Sequence, residues 1–90
     1  MAMAFIKMKI MPESPESDLQ GIKSECEIKF NSIEAKIHSV EEEPIAFGLV
    51  ALIFTISWPE EKDQSIIENA IKEVNGIQSA EIIDFRRAFG

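Results

Sequence analysis

The chain has 90 residues, of which 46% are hydrophobic and 28% are charged. This length predicts one domain over residues 1–90 with a core too small to enclose a deep cavity, so function is expected at a surface or an edge. Nine basic and sixteen acidic residues give a net charge of −7, which disfavours nucleic acids and anionic membranes as partners. The single cysteine, Cys26, cannot form an intrachain disulfide, so a cytoplasmic location is expected.

The first predicted element is a strand over residues 4–11, where apolar residues alternate with Phe5, Lys7 and Lys9. The segment 12–15 carries two prolines and ends this strand. A helix follows, capped either by Ser14 or by Ser17, with Gln20 in the capping-box position of the second alternative. Its apolar stripe, which should pack on the sheet, consists of Leu19, Ile22, Cys26 and Phe30.

Two further strands are predicted in the middle of the chain. Residues 33–43 alternate loosely and end in the acidic run Glu41–Glu43, a pattern that favours a charged sheet edge. Pro44 marks a turn. Residues 49–58 are apolar at both odd- and even-numbered positions, so both faces of this strand should be covered, which predicts a central strand. Its lighter face is expected to meet a partner, and consists of Leu49, Ala51 and Ile53.

The last two predicted elements are a helix and a strand. Pro59 and the two glutamates after it open the helix, and Gly76 closes it as a left-handed cap. The helix face predicted to be buried consists of Ile66, Ile67, Ala70, Ile71 and Val74. Residues 77–89 form the final strand, which carries Arg86 and Arg87 at its far end.

The resulting order, β-α-β-β-α-β, predicts an α+β fold of the ferredoxin-like type. Two right-handed crossovers place both helices on one face of a four-stranded antiparallel sheet. The first and third strands then lie in the middle, which agrees with their being the two most apolar strands.

The chain offers little for catalysis or metal binding. Cys26 and His38 are its only soft ligands, and Cys26 is expected to be a buried core thiol, so no metal, no cofactor and no nucleophilic chemistry are predicted. Residues 12–15 lack the glycines and the basic residue of a phosphate-cradling loop, which disfavours an acylphosphatase-like enzyme. The protein is therefore not expected to be an enzyme.

Two features are unusual for a domain without a visible active site. Phe47 stands beside Gly48 in the turn into the central strand, where it either plugs the end of the sheet or remains available to a partner. Arg86 and Arg87 end the last strand of a strongly acidic chain, where they serve either solubility and local capping or a partner.

Three segments resemble the archaeal translation elongation factor 1-beta family: residues 6–15, the turn Pro44-Ile45-Ala46-Phe47-Gly48 and the ending 77–87. The resemblance implies a ferredoxin-like guanine-nucleotide exchange factor acting on the GTPase elongation factor 1-alpha. It also implies that the five turn residues bind this partner. Arg87 aligns with a near-terminal lysine that, in eukaryotic relatives, reaches toward the magnesium and phosphate site, and Arg86 is the alternative for that role.

A second function from another class stays open on the sequence alone. An oligomerising, ligand-sensing regulatory module would use the lighter face of the central strand to pair with a second copy. The exchange factor is expected to work as a monomer, so the two hypotheses differ in the oligomeric state that they predict.

Overall fold

The computed structural model describes residues 2–88 of the chain. The elements follow the predicted order. They are β1 (Met3–Pro12), α1 (Leu19–Ser32), β2 (Lys36–Pro44), a short 3-10 turn (Ala46–Gly48), β3 (Val50–Pro59), α2 (Ser65–Lys72) and β4 (Ile77–Ala88). The final strand was predicted to reach Phe89, which lies outside the described residues.

The four strands form one antiparallel sheet in the order β2-β3-β1-β4. This order confirms the predicted ferredoxin-like fold, because β1 and β3 occupy the middle and the acidic strand β2 lies at an edge. Residues pair directly across the two central strands, for example Ile6 with Ile56 and Ile10 with Leu52. Directly opposed residues point to the same face, so these pairs extend the core along the inner, helix-covered face of the sheet.

The alternation of residue types in β1 arises because one face of the strand is buried in the core, as the sequence predicts. Ala4, Ile6, Met8 and Ile10 are fully buried on the inner face. The residues between them point to the other face, called here the outer face. The predicted stripe of α1 packs on the inner face, and its members Ile22, Cys26 and Phe30 are buried.

The start of α1 differs from the prediction. Asp18 is the N-cap, since its Oδ1 accepts a hydrogen bond from the Gly21 N–H at 3.1 Å. The predicted caps are wrong because the two serine hydroxyls are used in a turn that precedes the helix. Ser14 N–H donates to Ser17 Oγ at 3.2 Å, and Glu16 N–H donates to Ser14 Oγ at 3.2 Å. An aspartate at this position also faces the positive end of the helix dipole.

The start of β2 is also later than predicted, because the cap of α1 and a turn occupy residues 33–35. Ile33 caps the helix, and Glu34 takes a left-handed conformation with φ 64°. The Ala35 N–H then donates to the Phe30 carbonyl at 2.9 Å. The chain therefore enters the sheet only at Lys36.

The predicted start of α2 is also wrong, because β3 and a turn occupy the residues assigned to the start of the helix. Pro59 is the last residue of β3, and the helix begins at Ser65. Asp63 Oδ1 accepts from the Ser65 N–H at 2.9 Å at this start. Because the helix starts later, Ile66 is exposed, while Ile67 and the residues one and two turns further on are buried. The helix ends at Lys72 with Glu73 as its C-cap, so the prediction that Gly76 caps it is wrong. Gly76 does have a left-handed backbone, with φ +88°, but it lies in the turn that leads into β4.

The outer face of β3 is not the open apolar surface that the sequence predicts. Ala51 is fully buried, and Ile53 is only 5% exposed within the single chain. Ile53 lies between Lys9 of β1 and Glu41 of β2 in the strand register. Long polar side chains on both sides can cover an apolar centre with their aliphatic parts. Of the three residues predicted to form this face, only Leu49 is half-buried rather than buried, so the face offers a second copy little apolar surface and the regulatory-module hypothesis loses support.

Burial makes the single thiol unreactive. Desolvation, with a smaller contribution from the neighbouring Glu25 and Glu27 carboxylates, raises the pKa of Cys26 to about 12. We expect Ellman's reagent at pH 8 to label native Cys26 far more slowly than the unfolded chain, because the thiolate is both scarce and inaccessible. Labelling of the native protein as fast as in urea would contradict this.

Candidate functional site

The turn between β2 and β3 holds a strained aromatic residue. The Ile45 N–H donates to the Leu49 carbonyl at 2.7 Å, which closes a tight loop over Ala46–Gly48. Within this loop Phe47 has φ 65° and Gly48 has φ +79°. Gly48 gives the backbone freedom that the sequence predicts. Phe47 has the same left-handed backbone although it carries a Cβ, which costs about 1–2 kcal/mol.

Phe47 does not plug the end of the sheet. Its side chain is 94% exposed, the largest value among the exposed large hydrophobic residues. A phenylalanine of this kind forgoes the free energy of burial and adds backbone strain. Two unfavourable features at one residue indicate a function outside the folding of the chain itself. The interpretation in which Phe47 is available to a partner is the one that agrees with its exposure.

The strain at Phe47 predicts that a glycine there stabilises the fold. Phe47→Gly should raise the free energy of unfolding by roughly 0.5–1 kcal/mol, because the strain relief exceeds the larger entropy of glycine in the unfolded chain. Urea denaturation measures this. Phe47→Ala is the matched control, since it removes the ring and keeps the Cβ that causes the strain. A glycine variant less stable than the alanine variant would show that the backbone at 47 is not strained.

The last strand carries an irregularity that decides where its arginines point. Lys7 of β1 pairs with Asp84, whereas the next residue, Met8, pairs with Ile82, so Ile83 is a bulge without a partner of its own. The extra residue shifts the alternation of β4 by one. As a result Arg87, opposite Ala4, points to the inner face, and Arg86 points to the outer face.

Each arginine has a carboxylate partner. Arg86 Nε donates to Asp84 Oδ2 at 3.1 Å, and both residues lie on the outer face of the same strand. Arg87 Nε lies 2.6 Å from Oε1 of Glu60, which belongs to the turn between β3 and α2. Both guanidinium groups are largely exposed. The two cations are therefore held on opposite faces of one strand end and remain accessible to an anionic ligand.

The structure does not bring the aromatic turn and the arginines together. The turn lies where β3 begins, and the arginines lie beside the end of β3, because Pro59 pairs with Met3 and Met3 with Ala88. Along the ten residues of β3 this separation is about 30 Å at roughly 3.3 Å per residue. The long dimension of the protein is 41 Å. The candidate site therefore has two ends, called here the Phe47 end and the Arg87 end.

Sequence reasoning missed the two carboxylates. Asp84 precedes Arg86 by two residues, so the period-two spacing of a strand was a signal that could have found this pair. Glu60 is 27 positions from Arg87 in the chain, and the sequence assigned it to a helix start. No local pattern links residues at that separation.

The other candidate residues lie apart. His38 Nε2 is 3.1 Å from Ser57 Oγ, and its ring packs edge-on against Phe5 on the outer face, whereas Cys26 is in the core. Across residues 2–88, no group of three or more His, Cys, Asp or Glu side chains is arranged to hold a metal ion. No helix within the same range is long and apolar enough to cross a membrane.

A sandwich of two helices on a 4-1-3-2 sheet, with its unusual residues at the sheet ends, places the chain among the small ferredoxin-like domains. It is similar to an ACT domain from the GTP pyrophosphokinase of Chlorobium tepidum, with a TM-score of 0.64. That similarity covers 88% of this chain and 96% of the other at 11% sequence identity, so it shows the fold alone.

The sequence of residues 5–88 matches the EF-1 guanine nucleotide exchange domain, and the chain belongs to that family. Relatives called Elongation factor 1-beta are 46% identical over 82 residues in Methanobrevibacter smithii and 39% identical over 84 residues in Natronomonas pharaonis. These matches cover 89% and 90% of this chain, and 90% and 92% of the relatives. The resemblance inferred from the sequence is confirmed, and the function that follows is guanine-nucleotide exchange.

Proposed function

We propose that the chain promotes GDP release from the translational GTPase elongation factor 1-alpha by contacting it with both ends of the sheet. Family membership supports the exchange activity. The single observation that carries the two-ended contact is Phe47, which is 94% exposed in a strained backbone conformation. The exchange activity takes place in the cytoplasm, where translation occurs.

At one end, Phe47 inserts into an apolar pocket of the GTPase. The turn residues around it, Pro44, Ile45, Ala46 and Gly48, hold the ring clear of the sheet and contact the rim of that pocket. The closing hydrogen bond between Ile45 and Leu49 gives the loop one conformation before docking. A preorganised aromatic residue of this type is a typical hot spot, because little conformational entropy is lost on binding.

At the other end, Arg87, with Arg86 beside it, perturbs the magnesium and phosphate subsite of the partner. A guanidinium matches the geometry of phosphate oxygens and keeps its charge at all physiological pH values. Mg²⁺ requires a near-ideal octahedral shell, so a cation brought close to the phosphates weakens its binding. GDP and Mg²⁺ belong to the GTPase, and the factor itself holds no cofactor and breaks no bond.

The thermodynamic principle is reciprocity between two ligands of one protein. A factor that binds the nucleotide-free GTPase more tightly than the GDP-bound form must weaken GDP binding by the same ratio. The two ends lie about 30 Å apart along the strands, so they contact separate regions of the GTPase. The strands between them belong to one hydrogen-bonded sheet, so docking at the Phe47 end determines where the Arg87 end reaches.

Stopped-flow release of a fluorescent GDP analogue from purified elongation factor 1-alpha tests this proposal. The release rate should rise with factor concentration and reach a plateau. A release rate at saturating factor that equals the rate without factor would overturn the proposal. Sedimentation at micromolar concentration should give a monomer, because the outer face of β3 is already buried within one chain.

A further inference from the structure

We infer that Glu60 is a positioning residue for Arg87: its carboxylate orients the guanidinium toward the partner before docking. The inference rests on the proposed function, because it assigns Glu60 a part in the exchange step. The ion pair joins Arg87 Nε and Glu60 Oε1 at 2.6 Å. It connects two elements that are far apart in sequence, the β3–α2 turn and the end of β4.

Glu60 is the better-held member of the pair. Its side chain is 22% exposed, against 73% for Arg87. Its N–H donates to the Ala2 carbonyl at 3.1 Å, which ties the turn to the start of β1. The same turn is braced by Trp58, a buried residue whose Nε1–H donates to the Lys62 carbonyl at 3.2 Å. The carboxylate therefore has a defined place, and the arginine adapts to it.

Arg87 is anchored at its backbone and mobile at its tip without this contact. Arg87 pairs with Ala4 of β1, and Glu60 is hydrogen-bonded to Ala2, two residues earlier in the chain. A guanidinium has five N–H donors, so a contact through Nε leaves the two terminal nitrogens chemically able to bind a phosphate. An ion pair this exposed adds little stability. Its effect is to restrict the directions in which the cation points.

The pair of Arg86 and Asp84 is a natural control within the same strand end. Its contact also uses Nε, at 3.1 Å, but its two members are two residues apart on β4 and face outward. That contact is local to one strand, so it does not fix the cation relative to the β3–α2 turn. Asp84→Asn therefore removes one negative charge beside Arg86, just as Glu60→Gln removes one beside Arg87, and it leaves the inner face unchanged.

The first test follows the ion pair in the free protein. ¹⁵N relaxation at the arginine side chains of the full chain should show Arg87 Nε–H more ordered than Arg86 Nε–H. Glu60→Gln should remove that order, and Asp84→Asn should leave it intact. An Arg87 side chain that is equally mobile in the wild type and in Glu60→Gln would overturn the inference, whatever the exchange assay shows.

The second test measures coupling in the exchange reaction. Glu60→Gln should lower the plateau rate of GDP release by roughly three- to tenfold, because the cation remains but loses its orientation. The factor concentration at half-maximal stimulation should change little. In an Arg87→Ala background Glu60→Gln should have no further effect. Two outcomes would overturn the inference. In one, Glu60→Gln lowers the plateau rate by the same factor in the Arg87→Ala background as in the wild type; in the other, Glu60→Gln alone raises the plateau rate.

These outcomes separate the inference from the proposed function. If the wild type does not accelerate GDP release, the proposed function fails and the positioning role fails with it. If the wild type is active and Arg87→Ala slows release, while Glu60→Gln matches the wild type, only the positioning role fails. A lower melting temperature for Glu60→Gln, without the coupling to Arg87, would likewise show a structural role and overturn the inference.

Discussion

Replacing Arg86 and Arg87 together with alanine is expected to lower the plateau rate of GDP release roughly 10- to 100-fold, within the range that coupling between two binding sites typically spans. The factor concentration at half-maximal stimulation should stay nearly constant. The reason is the separation of the two ends: the Phe47 end can still dock, while the cations that we propose disturb the phosphates and Mg²⁺ are gone. Both arginines are exposed, so the fold should tolerate their loss.

The measurement is the stopped-flow assay over a full range of factor concentrations, since only the plateau isolates the step after docking. Lys23→Ala with Lys72→Ala is the matched control, because it removes two positive charges from the helices and makes the same change in net charge. That variant should keep the wild-type plateau. Equal losses of plateau rate and apparent affinity in the arginine variant would mean that the arginines only dock.

Replacing Phe47 with alanine is expected to raise the factor concentration at half-maximal stimulation roughly tenfold, which corresponds to a loss of about 1.4 kcal/mol of binding free energy. The plateau should be preserved, because the arginines still act once the complex has formed. The ring makes no contribution to the core, being 94% exposed. Any change in activity therefore reports on binding and not on folding.

A second exposed hydrophobic residue supplies the control for Phe47. Ile28 lies on α1 and is also largely exposed. Ile28→Ala removes apolar surface of similar chemistry away from both ends and should leave the concentration dependence unchanged. An unchanged concentration dependence in Phe47→Ala would contradict the anchor role. The glycine variant adds a further contrast, since it should bind weakly even though it folds more stably.

The fold was predictable from the sequence because its signals are periodic. Alternation in β1 and the apolar character of β3 at both parities identify the two central strands, and the stripe containing Cys26 identifies the helix face. The starts of the helices were not predictable to the residue. At α1 three short polar residues compete to cap, and the choice of Asp18 depends on the turn that the two serines form with each other.

The candidate site was predictable only in part, for a different reason. The composition of the turn identified Phe47 and Gly48 as unusual, but whether the ring is buried depends on the space at the end of the sheet, which has no local signature. The burial of Ile53 was also hidden, because the polar residues that flank it come from two other strands. The contact of Glu60 with Arg87 depends on β1, which pairs with both β3 and β4 and so places the end of one beside the end of the other.

The bulge at Ile83 determines which of the two arginines lies on each face of the sheet. Without the bulge, Ile83 would pair with Lys7 and Arg86 would lie opposite Ala4, so the guanidinium beside the β3–α2 turn would belong to Arg86. A one-residue change of pairing at this point would thus exchange the places of two chemically identical side chains while leaving composition and charge at the strand end untouched. Two aligned endings with the same arginines can present them to opposite sides of the sheet.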